Sequence, residues 1–230
     1  MSIPPTSIPA MIDQTLLKPD ATEDQIRHLC TEALEYKFAA VCVHPIFVPL
    51  VSSVLKNSSV RTGIVVGFPT GAHKTEVKVL ESQLALAEGA RELDMVINIG
   101  ALKSGNYELV LRDMKAICDI CIEYDALCKV IIETAFLTEA EKRKACELVI
   151  EAKPAFIKTS TGFAPQGATG ADVRLMSDLV KKHGIGVKAA GGIRDYTTFQ
   201  KMVSAGATRI GTRSGVQIIH EARQMVYNSK

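Results

Sequence analysis

No run of apolar residues in this 230-residue chain approaches the ~18 that a membrane-spanning helix needs, so a membrane protein is not expected. No basic run or stripe is present either. Lys and Arg number 27 against 25 Asp and Glu, a formal net charge of +2, which makes nucleic acid a poor partner. The opening residues, MSIPPTSIPAMIDQ, lack the basic and apolar regions of a secretory signal, so a cytoplasmic protein is expected. No stretch rich in Pro, Gly and Ser divides the chain, and a single domain over residues 1–230 is expected. A G-x-G-x-x-G turn after the first apolar run, the mark of a dinucleotide-binding doubly wound sheet, is also missing.

The six cysteines do not complete a metal set. Cys118 and Cys121 have the C-x-x-C spacing of a redox pair or half a zinc site. No second C-x-x-C and no H-x-x-x-H accompanies them, and DMKAICDICIEY reads as an amphipathic helix in which small apolar thiols pack. Free cysteines on helices fit a reducing compartment. No metal is expected.

What the chain has is alternation. Short apolar runs at 10–14, 39–43, 62–67, 92–98, 128–133, 155–158, 186–189 and 208–211 read as strands. Helical periodicity fills 22–36, 73–88, 107–123, 138–151, 171–183, 196–205 and 214–227. Thr22 is a helix cap, Thr138 with Glu141 forms a capping box, and Gly89 and Gly184 stand where helix ends need a left-handed residue. Strands that alternate with helices make a parallel sheet, because parallel neighbours need a crossover. Eight such units in under ~250 residues fit a closed (β/α)8 TIM barrel, here with a short N-terminal extension.

Charged residues on strands are costly to bury unless paired. Asp13, Asp94, Glu133, Lys158 and Lys188 all stand on the expected strands. Lys158 and Lys188 fall on neighbouring strands six and seven, and Asp94 on strand four, so the three converge at the C-terminal end of a barrel. A lysine amine is a nucleophile only when neutral, and desolvation beside a second cation lowers its pKa. Lys188 next to Lys158 is such an arrangement. A neutral Lys158 attacks a carbonyl to give an iminium, with Asp94 carrying protons directly or through water. Taken singly, each of these residues also reads as a solvated or salt-bridged side chain, and Asp94–Lys188 as a structural ion pair.

The loops after strands six to eight are built of small residues: Thr159-Ser-Thr-Gly, Ala189-Ala-Gly-Gly-Ile-Arg and Ile210-Gly-Thr-Arg-Ser-Gly. Barrels often grip phosphate there. Gly191 and Gly192 let backbone N–H groups approach an anion, and Ser214 opens the last helix, whose dipole favours negative charge. The residues leave open a sugar-phosphate lyase, an isomerase, a non-catalytic sugar-phosphate binding protein, and a thiol redox protein working through Cys118 and Cys121.

The segments FIKTSTGF, VKAAGGIR and IGTRSG resemble the deoxyribose-phosphate aldolase family, as do IDQTLLKP, VCVHP, VVGFPTG and ELDMVIN. The resemblance runs in order from about residue 10 to about residue 220. It implies reversible cleavage of 2-deoxy-D-ribose 5-phosphate to acetaldehyde and D-glyceraldehyde 3-phosphate, with no cofactor. It places the Schiff-base lysine at Lys158, the pKa-lowering lysine at Lys188 and the proton-relay aspartate at Asp94. Asp13, Thr15 and Cys42 match positions lining the substrate pocket. Thr161, Gly162, Gly191, Gly192, Gly211 and Ser214 match the phosphate loops. Two departures stand out. Phe163 occupies a position where some members have lysine, and Tyr227 is not the terminal tyrosine that assists proton transfer in some members. The implied partners are small sugar-phosphate and aldehyde substrates. Barrels of this kind often pair through outer helices, so a homo-oligomer, dimer or tetramer, is open, and no stripe selects one.

Overall fold

The computed structural model describes residues 4–228, with side chains as far as Met225. Eight parallel strands close in sequential order: β1 (Ile12–Thr15), β2 (Ala40–Val43), β3 (Arg61–Val66), β4 (Glu92–Val96), β5 (Leu127–Ile131), β6 (Phe156–Lys158), β7 (Gly186–Ala190) and β8 (Arg209–Thr212). β8 pairs back onto β1 through Ile12–Ile210 and Asp13–Gly211. The N-terminal extension is two 3-10 turns, Pro5–Ser7 and Pro9–Met11.

Period-two alternation sorts each strand into two faces. At least one apolar residue of every strand, Ile12, Val41, Ile64, Leu93, Val130, Ile157, Val187 and Ile210 among them, joins the buried apolar layer between barrel and helices. Their sequence neighbours point inward. Lys188 on β7 reaches carboxylates on β1 and β4, strands that are not its neighbours, and only the barrel interior allows that contact.

The helices are α1 (Glu23–Tyr36), α2 (Val48–Val54), α3 (Thr75–Ala87), α4 (Ile99–Lys103), α5 (Tyr107–Glu123), α6 (Glu139–Ala152), α7 (Gly170–Val180), α8 (Tyr196–Ser204) and α9 (Gly215–Asn228). Both threonine caps form as the sequence implies. Thr22 and Gln25 make a capping box at α1, and Thr138 and Glu141 make one at α6. Two elements have no counterpart in the periodicity. α2 and α4 are seven and five residues long, too short for a 3.6-residue repeat to show. Of the two glycines expected at helix ends, Gly184 is left-handed and closes the 3-10 turn that ends the α7 segment, and Gly89 lies one residue beyond the cap of α3 at φ 114°. Lys37 and Lys153 take the left-handed position after α1 and α6, where glycine is the usual residue.

Glu133 does not end strand five. β5 stops at Ile131, and Glu133 follows in a left-handed conformation at φ 53°. Away from a helix end, a non-glycine residue rarely holds that conformation.

Candidate active site

A cleft of about 200 Å³ opens at the C-terminal ends of the strands, and Lys158 forms its floor. Thr15, Thr161, Gly162, Gly191, Gly192 and Gly211 line it as well. The other expected residues lie elsewhere. Asp13, Asp94 and Lys188 are fully buried beneath the floor. Cys42 packs with Leu17, Val65 and Phe68 at one side. Ser214 stands past the rim, its backbone N–H donating to Thr212 Oγ1. The Tyr227 side chain lies outside the described residues.

The register Ile157–Val187 and Lys158–Lys188 sets the two lysines side by side on adjacent strands. Both amines donate to one oxygen of Asp94, at 2.7 Å from Lys158 and 2.6 Å from Lys188. The other oxygen of Asp94 accepts from Lys129 at 2.7 Å. Burial opposes charging Asp94, and Lys129, Lys158 and Lys188 outweigh it, so its carboxyl is held well below the usual range. Asp94 is therefore an anion with both oxygens occupied. Lys158 is 2 % exposed. Burial first, then the Lys188 ammonium, pull its amine below the ordinary lysine value, against the attraction of Asp94. Lys188 moves the other way: Asp13 and Asp94 outweigh burial and raise it. Burial pushes the Cys42 thiol up to about 11, so it stays neutral beside them.

Three members of this ionic core escape sequence reasoning. Lys129, Glu92 and Arg209 sit at or near the starts of their strands, where a charge normally reads as solvated. Lys129 pairs with Glu92 and Asp94 at 2.7 Å each. Arg209 pairs with Asp13 at 2.6 Å and Glu92 at 2.9 Å. Period-two spacing puts Glu92 on the same face of β4 as Asp94, but the convergence of Lys129 and Arg209 on them from β5 and β8 depends on the closed barrel.

The rim of the cleft suits an anion. Gly162 and Gly192 have φ of 89° and 81°, and a Cβ at either would meet only open space, so their backbones can face a ligand directly. At Gly191 an added Cβ would stand 2.9 Å from the Cα of Gly167, and at Gly211 it would stand 3.1 Å from Lys188 Cε. Gly211 thus makes room for the lysine rather than for the anion. Two exposed arginines, Arg194 and Arg213, line the same rim, and neither is among the described ion pairs. Phe163 brings no charge there. It is 53 % exposed and meets Phe68 edge-on at 5.3 Å between ring centroids.

The loop after β6 has its own anchor. Glu133, 1 % exposed, accepts from the backbone N–H of Thr161 at 3.1 Å and from the Thr161 hydroxyl. Thr161 Oγ1 in turn accepts from Phe163 N at 3.0 Å. Glu133 Oε1 and Thr134 Oγ1 are buried without a partner.

A buried amine held below its usual pKa, next to the Lys188 ammonium and under a rim of open glycines and exposed arginines, has the chemistry to form a carbonyl adduct. Comparison with known proteins agrees. Residues 6–221 match the family described as DeoC/LacD family aldolase. A deoxyribose-phosphate aldolase of Clostridium tetani is 51% identical over 94% of this chain and 99% of its own length. Among solved structures, a putative deoxyribose-phosphate aldolase from Coccidioides immitis has a TM-score of 0.93 at 41% identity, covering 97% of this chain and 88% of that one. A tetrameric deoxyribose phosphate aldolase from Aeropyrum pernix has a TM-score of 0.90 at 34% identity, covering 96% and 93%.

Proposed function

The chain belongs to the DeoC/LacD family of aldolases, and we propose that Lys158 is the amine through which it reversibly cleaves 2-deoxy-D-ribose 5-phosphate to acetaldehyde and D-glyceraldehyde 3-phosphate. The observation that carries this reading is the Lys158 amine at the cleft floor, with one carboxylate oxygen as its ionic partner and that oxygen shared with Lys188.

In the cleavage direction, neutral Lys158 Nζ adds to the C1 aldehyde of the open-chain sugar. Loss of water gives an iminium. The C3 hydroxyl gives up its proton, the C2–C3 bond breaks, and its electron pair moves into the iminium to form an enamine. Glyceraldehyde 3-phosphate departs. Protonation at C2 restores an iminium, and water releases acetaldehyde and the free amine. The Asp94 carboxylate as acceptor and the Lys188 ammonium as donor pass protons to and from the Lys158 nitrogen, and water in the cleft links them to the sugar. Thr15 lies on the wall beside the adduct. Thr161, Gly162, Gly191 and Gly192, with Arg194 and Arg213, hold the phosphate. This chemistry calls for no metal and no organic cofactor.

The chain, 1–230, acts as one catalytic domain, whose described residues form a single barrel. Six free cysteines favour a reducing cytoplasm as its location, and no described helix is long and apolar enough to cross a membrane. A homo-oligomer, dimer or tetramer, is favoured by the tetrameric relative and by an apolar stripe on α3, where Val77, Leu80 and Leu84 are 48 to 57% exposed.

Incubation with deoxyribose 5-phosphate tests the substrate assignment. The expected result is stoichiometric acetaldehyde and glyceraldehyde 3-phosphate, with deoxyribose itself a far poorer substrate. Isomerised sugar phosphate without carbon–carbon cleavage would assign the site to an isomerase, and binding without any product would make it a carrier.

A further inference from the structure

The ionic side chains below the cleft do not balance. Facing Lys158 inside the barrel are Asp13 from β1, Cys42 from β2, Glu92 and Asp94 from β4, Lys129 from β5, Lys188 from β7 and Arg209 from β8. β3 adds the uncharged Val65. Above the floor, Arg194 and Arg213 line the rim and Glu133 is held by Thr161. Cys42 is a neutral thiol, so the core holds four basic side chains, Lys129, Lys158, Lys188 and Arg209, against three carboxylates, Asp13, Glu92 and Asp94.

The contacts single out the surplus cation. Lys129 touches all three carboxylates, at 3.3, 2.7 and 2.7 Å. Lys188 touches Asp13 and Asp94, and Arg209 touches Asp13 and Glu92. Lys158 touches Asp94 alone. A buried set of charges is least costly when each is paired, so the side chain with one shared partner is the one that gives up its proton.

We propose that Arg209 and Glu92, at the N-terminal ends of β8 and β4 and away from the cleft, are positioning residues that fix the charge parity of this core and thereby select Lys158 as its neutral member. This rests on the Schiff-base reading of Lys158. Arg209 supplies the fourth cation. With it, the core reaches zero net charge when Lys158 is neutral. Without it, three cations match three carboxylates and Lys158 keeps its proton. Loss of the Glu92 charge does the opposite: four cations then face two carboxylates, and Lys158 deprotonates more readily. The two substitutions therefore act in opposite directions on one titration, although both break the same ion pair.

The test is the pH dependence of adduct formation on Lys158 in the full-length protein, using acetaldehyde with cyanoborohydride and mass spectrometry. Relative to the unmodified chain, the midpoint of trapping should rise by about one pH unit in R209M and fall by about one unit in E92Q. R209K should stay close to the parent, and the double variant E92Q/R209M, which removes both charges, should return to it. Circular dichroism establishes which variants fold. If either single variant is unfolded, the double variant and R209K decide, and a midpoint displaced in both of them overturns the proposal. Equal or same-direction shifts in the single variants, or lower trapping with unmoved midpoints, also overturn it. No adduct on Lys158 in the unmodified chain would instead overturn the Schiff-base reading.

Discussion

Arg194 and Arg213 are the free cations at the rim of the cleft, and their guanidinium groups can meet a phosphate with two parallel hydrogen bonds. Replacing Arg213 by Ala should raise KM for deoxyribose 5-phosphate about tenfold, the value of one charge-assisted hydrogen bond, with kcat within about twofold. Turnover of deoxyribose should be unchanged, and steady-state kinetics on both sugars checks this. Equal losses on both would remove Arg213 from phosphate recognition. At this scale the sequence was most legible where strand period fixes direction. Lys158, Lys188 and Asp94 follow from alternation. Arg194 and Arg213 are not legible in the sequence, because they stand on loops, where no period tells which way a side chain points. Lys129 is hidden for another reason. A lysine near the start of a strand is ordinarily solvated, and only closure of β5 beside β4 puts it 2.7 Å from Asp94.

Among the elements, the loop after β6 depends on one buried carboxylate on the loop after β5. Glu133 holds a left-handed backbone and bonds both polar groups of Thr161. Glu133→Ala should free that loop, raising KM for the sugar phosphate about tenfold with a smaller change in kcat. Glu133→Gln, which retains an acceptor, should lie between Ala and the parent. An unchanged KM in the Ala variant would make the contact a matter of stability alone. The C-x-x-C pair belongs to α5 in the structural sense read from its periodicity. Cys118, Cys121 and Cys128 are all buried, and hydrogen bonding of the neutral Cys128 thiol with Cys118 and Cys121, together with burial, raises it well above its ordinary value. The double variant C118A/C121A should keep kcat and lose a few degrees of thermal midpoint, which an activity assay and a melting curve measure together. Activity loss in a folded variant would revive a redox role. Helix caps were legible because Thr138-x-x-Glu141 carries its own geometry and Thr22 precedes the acidic Glu23 and Asp24, while the Gln25 half of the α1 box emerges only in the structure. The two shortest helices, α2 and α4, were not.

For the whole molecule, eightfold strand–helix alternation in a chain of this length, with no dinucleotide turn, was enough to indicate a closed barrel over an open doubly wound sheet, and the eight strands do close. The composition of its interior was not legible as a unit. An apolar outer layer surrounds an ionic core, and that core makes stability pH-dependent. Asp13 and Asp94 have carboxyls held well below the usual range; burial opposes this, and the surrounding Lys and Arg charges outweigh it. Groups depressed in the folded state stabilise it above their unfolded pKa of about 4, and that stability is lost as pH falls toward their folded values. The thermal midpoint should be flat near neutrality and fall steeply below about pH 5. A midpoint unchanged down to about pH 3 would mean that the carboxylates are not buried as anions. The same core lies beneath the Lys158 amine, which burial and the Lys188 ammonium hold below its usual pKa at the floor of the cleft, and one measurement addresses its proposed role directly. Borohydride reduction followed by peptide mapping should give a single modified peptide with the adduct on Lys158, two carbons from acetaldehyde and two or five carbons from deoxyribose 5-phosphate, absent in K158A together with activity. Modification at another lysine, or full activity in K158A, would contradict the account.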